Sequence, residues 1–226
     1  MIVHVPGLLD AAQLREVRAR LEGAPWEDGR ATAGHQSAEV KHNLQLPRDA
    51  AAAREAGQLI VRALERSALF ISAALPHHVF PPLFNCYQSG MEFGEHVDNA
   101  VRQIPGTVHR LRTDLSATLF LSAPADYDGG ELVVEDTFGS HAIKQPAGDL
   151  VVYAASSRHR VTRVTRGTRL AAFFWVQSMV RDEGERQLLH ELDSSIRTLA
   201  QARTAQTSLV QLTACYHNLL RRWAQL

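Results

Sequence analysis

The segment Gly94-Glu95-His96-Val97-Asp98 sets an imidazole and a carboxylate two residues apart at the end of a strand-like run. Side chains alternate faces along a strand, so His96 and Asp98 point the same way and can grip one ion. A second imidazole, His159, follows sixty-one residues after Asp98, in Ser156-Ser157-Arg158-His159-Arg160-Val161, again strand-like. Two neutral imidazoles and one carboxylate on one face, with the other positions open, suit non-haem Fe(II) and the oxygen chemistry it supports. Ten residues beyond His159 stands Arg169, in Arg169-Leu170-Ala171-Ala172-Phe173-Phe174-Trp175. Its permanent, forked cation suits the carboxylate of a co-substrate.

Charge counting gives these four residues a common purpose. Fe(II) with one Asp carboxylate keeps a single positive charge. A 2-oxoglutarate dianion chelating it reverses the sign, and its distal carboxylate then needs a bidentate cation. Such a charge-assisted pair is worth about 1.5–3 kcal/mol net. Arg169, Ala171, Phe173 and Trp175 share one strand face, so Arg169 and Trp175 are both expected to line the cavity. Alone, each residue is ordinary in a chain with 11 histidines. The joint pattern selects them.

Several elements must hold these residues. Asp10 with Gln13 three residues on is a capping box opening a helix striped by Leu14, Val17 and Leu21. Gly23 to Gly34 reads as a polar surface loop around Trp26. Asp49 is expected to cap a second helix carrying Leu59, Ile60, Ala63 and Leu64, and a third runs from Ser67 to Ala74 before Pro76. From Leu83 the pattern turns to short strands: 83–87, 92–97, 114–122, 131–135, 141–144, 149–153, 160–164 and 169–177. Asn99 to Arg112, with Pro105 and Gly106, reads as a loop. Residues 161–164 and 169–177 read as a hairpin turning at Thr165-Arg166-Gly167-Thr168. Regular short strands with Gly and Pro turns indicate a sandwich or barrel rather than a βαβ sheet. After Val180 two apolar stripes return at helical spacing, Leu188/Leu189/Leu192/Ile196/Leu199 and Leu209/Leu212/Leu219/Leu220/Trp223, with a turn near Thr204 between them.

Taken together, Tyr87-x-x-Gly90-x5-His96-x-Asp98, Tyr127-Asp128-Gly129-Gly130-Glu131-Leu132, Ala147-Gly148-Asp149 and His159-x9-Arg169 resemble the prolyl 4-hydroxylase-like Fe(II)/2-oxoglutarate dioxygenases. More narrowly, His96-Val97-Asp98-Asn99-Ala100, Arg112-Thr113-Asp114-Leu115-Ser116, Val164-Thr165-Arg166-Gly167 and the tail Tyr216-His217-Asn218-Leu219-Leu220-Arg221-Arg222-Trp223 are similar to the bacterial PKHD-type hydroxylases. The resemblance implies an α+β fold whose mainly β core is a double-stranded β-helix (jelly roll) flanked by N-terminal and C-terminal helices. It implies iron on His96, Asp98 and His159, 2-oxoglutarate on Arg169 with a hydrogen bond from Tyr87, O2 as co-substrate, and an association with L-ascorbate (vitamin C). Most of the wider superfamily carries Lys at the Arg169 position. Arg keeps the charge and adds a fork.

The expected organisation is a dioxygenase domain over residues 1–180, built of a helical N-terminal segment (1–78) and a jelly-roll core (79–180), and a helical extension over 181–226. With 24 basic and 24 acidic residues the 226-residue chain carries no overall field for nucleic acid or an anionic membrane. Cys86 and Cys215 form no metal-binding spacing and read as buried free thiols. No secretory signal or membrane-length apolar run is present, so a cytoplasmic protein is expected. The substrate is a protein, a peptide or a small molecule, and the C-terminal stripes allow a monomer or a homodimer. The basic run Arg102, His109, Arg110 and Arg112 reads as solvated surface; the alternative is that it borders the substrate entrance and favours an anionic or polypeptide partner. Glu131 and Glu135 are explained by strand alternation, and Ser156-Ser157 lacks a nucleophile elbow. A non-catalytic jelly-roll sensor of metal or 2-oxoglutarate would use the same ligands, and succinate release under O2 separates it from an oxygenase. A cupin-type isomerase or hydrolase would not need Arg169.

Overall fold

The computed structural model describes residues 1–32, 39–104, 106–202 and 206–226. Two antiparallel sheets dominate it. The strands, in chain order, are β1 (Ile2–Val5), β2 (Glu27–Asp28), β3 (Lys41–His42), β4 (Leu44–Gln45), β5 (Pro76–Val79), β6 (Leu83–Gln88), β7 (Glu92–His96), β8 (Val101–Gln103), β9 (Arg110–Arg112), β10 (Leu115–Phe120), β11 (Tyr127–Asp128), β12 (Leu132–Asp136), β13 (Gly139–Ile143), β14 (Leu150–Ala154), β15 (His159–Val161) and β16 (Arg166–Ser178). The helices are α1 (Ala11–Leu21), α2 (Ala51–Arg66), α3 (Ala68–Ala74), α4 (Glu183–Gln201) and α5 (Gln206–Trp223). The larger sheet runs β1-β14-β10-β16-β6-β4-β2, with β5 and β11 also paired to β16. The smaller runs β13-β12-β15-β7-β3, and β8 and β9 form a separate hairpin.

Strand alternation decides what each face of the larger sheet does. Leu115, Ala117 and Leu119 of β10, and Ala172, Phe174 and Val176 of β16, pack against Val17, Leu21, Ile60, Leu64 and Phe70 of the N-terminal helices. The opposite parity turns inward: Phe120, Val151 and Tyr153 meet Leu132, Val134 and Ile143 of the smaller sheet. The larger sheet is therefore covered by helices outside and by the second sheet inside, and its inward residues line the space between the sheets. The polar Ser116 and Thr118 belong to that inward set, although β10 is buried throughout.

The helix ends follow local chemistry. Asp10 caps α1, accepting from Ala12 and Gln13 amides while Gln13 returns a bond to its backbone. Ser67 caps α3, whose other end closes on Leu75 at φ 43. At α2 the structure corrects the expectation. Residues 47–50 form a turn closed by the Ala50 amide on the Pro47 carbonyl, so the helix starts after Ala50 and has no side-chain cap.

Three further expectations are corrected. The run around Trp26 is not only surface loop: Glu27–Asp28 pairs with Leu44–Gln45 at the sheet edge, and Trp26 packs on the core; residues 33–38 of that run lie outside the described residues. Asn99 to Arg112 contains the β8–β9 hairpin, with Val101 opposite Arg112, although Pro105 is outside the described residues. The expected hairpin between 161–164 and 169–177 does not form. β15 pairs with β12 and β7 in the smaller sheet, whereas β16 pairs with β10, β6, β5 and β11. The chain crosses between sheets at Val164-Thr165, whose amides bond the Met91 and Asp128 carbonyls. Gly129 and Gly167 permit this crossing. Both have positive φ, and a Cβ on either would stand 2.0 Å from a backbone carbonyl oxygen, of Arg163 and Asp126 respectively.

The C-terminal helices dock on α3 and the end of β16. Leu189 is buried with Leu75 and Val180, and Tyr216, Leu219, Leu220 and Trp223 pack around them. Buried Arg186 donates to the Val180 and Arg181 carbonyls and pins the start of α4. The expected stripe is narrower than its sequence, since Leu188 is exposed, and the turn near Thr204 is outside the described residues. Cys86 is buried as expected, whereas Cys215 is exposed. No described helix is long and apolar enough to cross a membrane.

Phe174 joins the larger sheet to the helices, so Phe174→Ala is expected to cost about 3–5 kcal/mol. Exposed Phe138→Ala should stay within about 0.5 kcal/mol of wild type in the same urea titrations.

Candidate metal centre and co-substrate pocket

β7 and β15 are neighbours, and their register sets His96 directly opposite His159. Cross-strand partners bring their Cβ atoms within roughly 5 Å, and the two rings lie 4.2 Å apart between centroids. Asp98 stands just past the end of β7, not within it. It still converges: one ligand atom from each of His96, Asp98 and His159 lies within 4.8 Å of the others. Asp98 Oδ2 is 3.6 Å from His159 Nε2.

Each ligand is oriented by a second bond. His96 Nδ1 donates to the Gly94 carbonyl at 2.9 Å, and His159 Nδ1 to the Ser157 carbonyl at 3.1 Å, each two residues back along the chain. A proton held on Nδ1 leaves the Nε2 lone pair for a metal. Ser116 donates its hydroxyl to Asp98 Oδ2 at 2.6 Å. The Phe93 ring stacks on His96 at 3.6 Å, and Tyr153 meets His159 edge-on at 5.1 Å. Burial, reinforced by the neighbouring His159, holds His96 down to about 4, so its imidazole is neutral and ready to ligate at neutral pH.

Arg169 lies on β16 directly opposite Tyr87 of β6. It is 1% exposed and lines the same cavity as the triad. Among the described residues it forms no ion pair, and none of its three guanidinium nitrogens has a hydrogen-bond partner. The Tyr87 and Tyr127 hydroxyls are likewise buried without a partner meeting hydrogen-bond geometry. Burial pushes Tyr87 up to about 12 and raises Tyr127, with the Arg169 guanidinium partly opposing both. Both phenols therefore keep their protons and can donate. A buried cation flanked by two protonated phenols can receive a carboxylate, because leaving such a charge unpaired costs several kcal/mol. These residues fit 2-oxoglutarate, and the imidazole–imidazole–carboxylate donor set fits Fe(II).

Trp175 shares the face of Arg169 but lies six residues further, about 20 Å along the strand. It is buried among Phe80, Leu83 and Leu111 and, as expected from its parity, lines the same cavity as Arg169, further along the strand. Opposite it in register is Ser116, the partner of Asp98. The basic run divides. Arg102 is turned into the cavity over Trp175, Arg112 is paired with Asp114, and His109 and Arg110 are exposed. Glu131 and Glu135 are occupied by Thr162 and by Arg158 and Arg160.

Sequence reasoning left out Ser116, Tyr127 and Lys41, which is buried in the cavity wall on Gln45 Oε1 and lowered to about 8 by burial. Ser116 had a signal: polar Ser116 and Thr118 alternate with Leu115, Ala117 and Leu119. Lys41 had none, because β3 is two residues long.

Residues 82–177 match the 2OG-Fe(II) oxygenase superfamily and residues 183–225 match the PKHD-type hydroxylase C-terminal domain. A PKHD-type hydroxylase of Methylobacterium nodulans is 59% identical over 227 residues, covering 100% of both chains. One from Pseudomonas paraeruginosa is 56% identical over 226 residues, again covering 100% of both. The chain belongs to the PKHD-type hydroxylases. Membership makes it a 2-oxoglutarate-dependent Fe(II) oxygenase, with the iron and 2-oxoglutarate requirement of that superfamily.

Solved structures share the fold at much lower identity. A Pseudomonas putida prolyl-4-hydroxylase aligns with TM-score 0.51 and 22% identity over 78% of this PKHD-type chain and 92% of its own. A Trichoplax adhaerens prolyl hydroxylase, solved with a hypoxia inducible factor peptide, aligns with TM-score 0.59 and 14% identity over 83% and 86%.

If Ser116 orients Asp98 for a metal, Ser116→Ala should weaken divalent-ion binding about tenfold. Titration of the metal-free protein with Zn(II) or Fe(II) checks this.

Proposed function

We propose that this chain hydroxylates a C–H bond of its substrate, with His96, Asp98 and His159 holding Fe(II) and Arg169 holding the far carboxylate of 2-oxoglutarate. The observation that carries this reading is the buried Arg169, without an ion-pair partner among the described residues, in the same cavity as the His96–Asp98–His159 cluster. When bound, the iron and 2-oxoglutarate supply the oxidising chemistry, consuming O2 and releasing succinate and CO2.

The chain's own residues do the rest. His96 and His159 present Nε2 because the Gly94 and Ser157 carbonyls hold their Nδ1 protons. Ser116 fixes the Asp98 carboxylate. Arg169 neutralises the co-substrate's distal charge, and the protonated Tyr87 and Tyr127 phenols donate to it. Trp175, on the same face but remote from Arg169, serves the substrate side of the cavity rather than the co-substrate. Hydrophobic walls from both sheets keep bulk water from the reacting centre.

We read the two facing sheets as a double-stranded β-helix. The division into an oxygenase domain over residues 1–180, with its helical segment (1–78) and core (79–180), and a helical extension over 181–226 accompanies that reading. The docking of α4 and α5 on α3 and β16 supports a helical cover and hence a monomer. Free Cys86 and Cys215 support a reducing, cytoplasmic setting. L-ascorbate would keep the iron ferrous between turnovers.

Arg169→Ala should weaken 2-oxoglutarate binding roughly 10- to 100-fold. Metal affinity should remain near wild type, because Arg169 touches no ligand to the ion. Parallel titrations of metal and of 2-oxoglutarate, with succinate formation under O2, test it. Unchanged 2-oxoglutarate affinity would refute the assignment.

A further inference from the structure

The β8–β9 hairpin lays Arg102 flat on Trp175, with the guanidinium carbon 3.5 Å from the indole centroid. A stacked guanidinium spends its face on the ring and keeps its N–H edge for an acceptor. Arg102 Nε is shielded from solvent and has no hydrogen-bond partner among the described residues. Arg102 lines the cavity that holds Asp98 and His159. Of the charges that reach it, Asp98 is the acid and Arg48 is a further cation.

Charge counting shows what this arrangement lacks. The cavity lining carries Lys41, Arg102 and Arg169 against a single carboxylate, Asp98. With Fe(II) and the 2-oxoglutarate dianion in place, metal, Asp98, Arg169 and co-substrate sum to zero. Arg102 stands outside that balance as a further positive charge in the same cavity. A neutral substrate would leave the charge of Arg102 unmatched, whereas an oxyanion would cancel it and give the shielded Nε–H an acceptor. We propose that Arg102, held on Trp175, recognises an oxyanion, a carboxylate or phosphate, carried by the primary substrate close to the C–H bond that is oxidised. This rests on the reading of iron and 2-oxoglutarate above. Trp175 then acts as the platform that fixes the direction of the Arg102 edge, and an Arg102 that merely capped Trp175 would show no preference for charge in a ligand.

The test uses full-length protein with Zn(II) in place of iron and saturating 2-oxoglutarate, so that the Arg169 cradle is filled. The ¹⁵N–¹H resonance of the Arg102 side-chain Nε–H is identified by its loss in Arg102→Lys, which keeps the stem and the charge. Acetate, methyl phosphate and the uncharged isostere acetamide are titrated in turn. The expected result is a saturable shift of that resonance with at least one anion, at an affinity roughly tenfold or more above that for acetamide. The tighter of acetate and methyl phosphate names the oxyanion. Anions binding no tighter than acetamide, or binding without moving the Arg102 resonance, would overturn the proposal. The comparison of acetate with acetamide is made in wild-type protein and does not depend on a variant's folding. Failure of 2-oxoglutarate to saturate the same sample would count against the Arg169 assignment, and the anion titration would still report on Arg102.

Discussion

The Arg169 guanidinium, buried between two sheets with no hydrogen-bond acceptor among the described residues, is the constraint on which the rest of this structure turns. A guanidinium is a permanent cation, and leaving its charge unpaired once buried works against the stability of the fold. Such a residue persists where a ligand supplies the missing anion. Its position on β16, opposite Tyr87, fixes where that anion ends. In the proposed reading, the imidazole pair on β7 and β15 would hold the metal at the other end. One sheet contributes the carboxylate cradle and the other the two imidazoles, so the site exists only while the sheets face each other.

That facing geometry follows from parity. On β10 and β16 every second side chain is committed to the helices, which frees the others for the cavity. Ser116 and Arg169 are tolerated in strands that are otherwise hydrophobic because they lie on the inward set. A shift of one residue in β16 would turn Arg169 toward α1 and α2 and bring Leu170 into its place. The pairing of β16 with both β10 and β6, six residues with each, protects the register against such a slip.

Much of this was legible in the chain. The ligand triad, Arg169 and the inward parity of β16 followed from residue type and spacing, and the capping box at Asp10 formed as its residues require. The failures share a physical origin. The hairpin expected between 161–164 and 169–177 was inferred from a good local turn, but the partners of both strands lie far away in sequence, and local pattern carries no record of them. Asn99 to Arg112 looked like a loop because β8 and β9 are three residues each and mostly polar. The shared face of Arg169 and Trp175 did follow from parity, since both line the cavity, although parity carries no record of the distance between them. Lys41 lines the cavity and Tyr127 lies beside Arg169, both from two-residue strands too short for any periodicity to mark.

The most direct measurement of the central claim is the visible absorption of the protein with stoichiometric Fe(II) and 2-oxoglutarate under strictly anaerobic conditions. A weak metal-to-ligand charge-transfer band requires both species bound together at one site. The account predicts one such centre per chain, lost in Asp98→Ala and in His159→Ala. Absence of the band at saturating concentrations, or its full retention in His159→Ala, would contradict it.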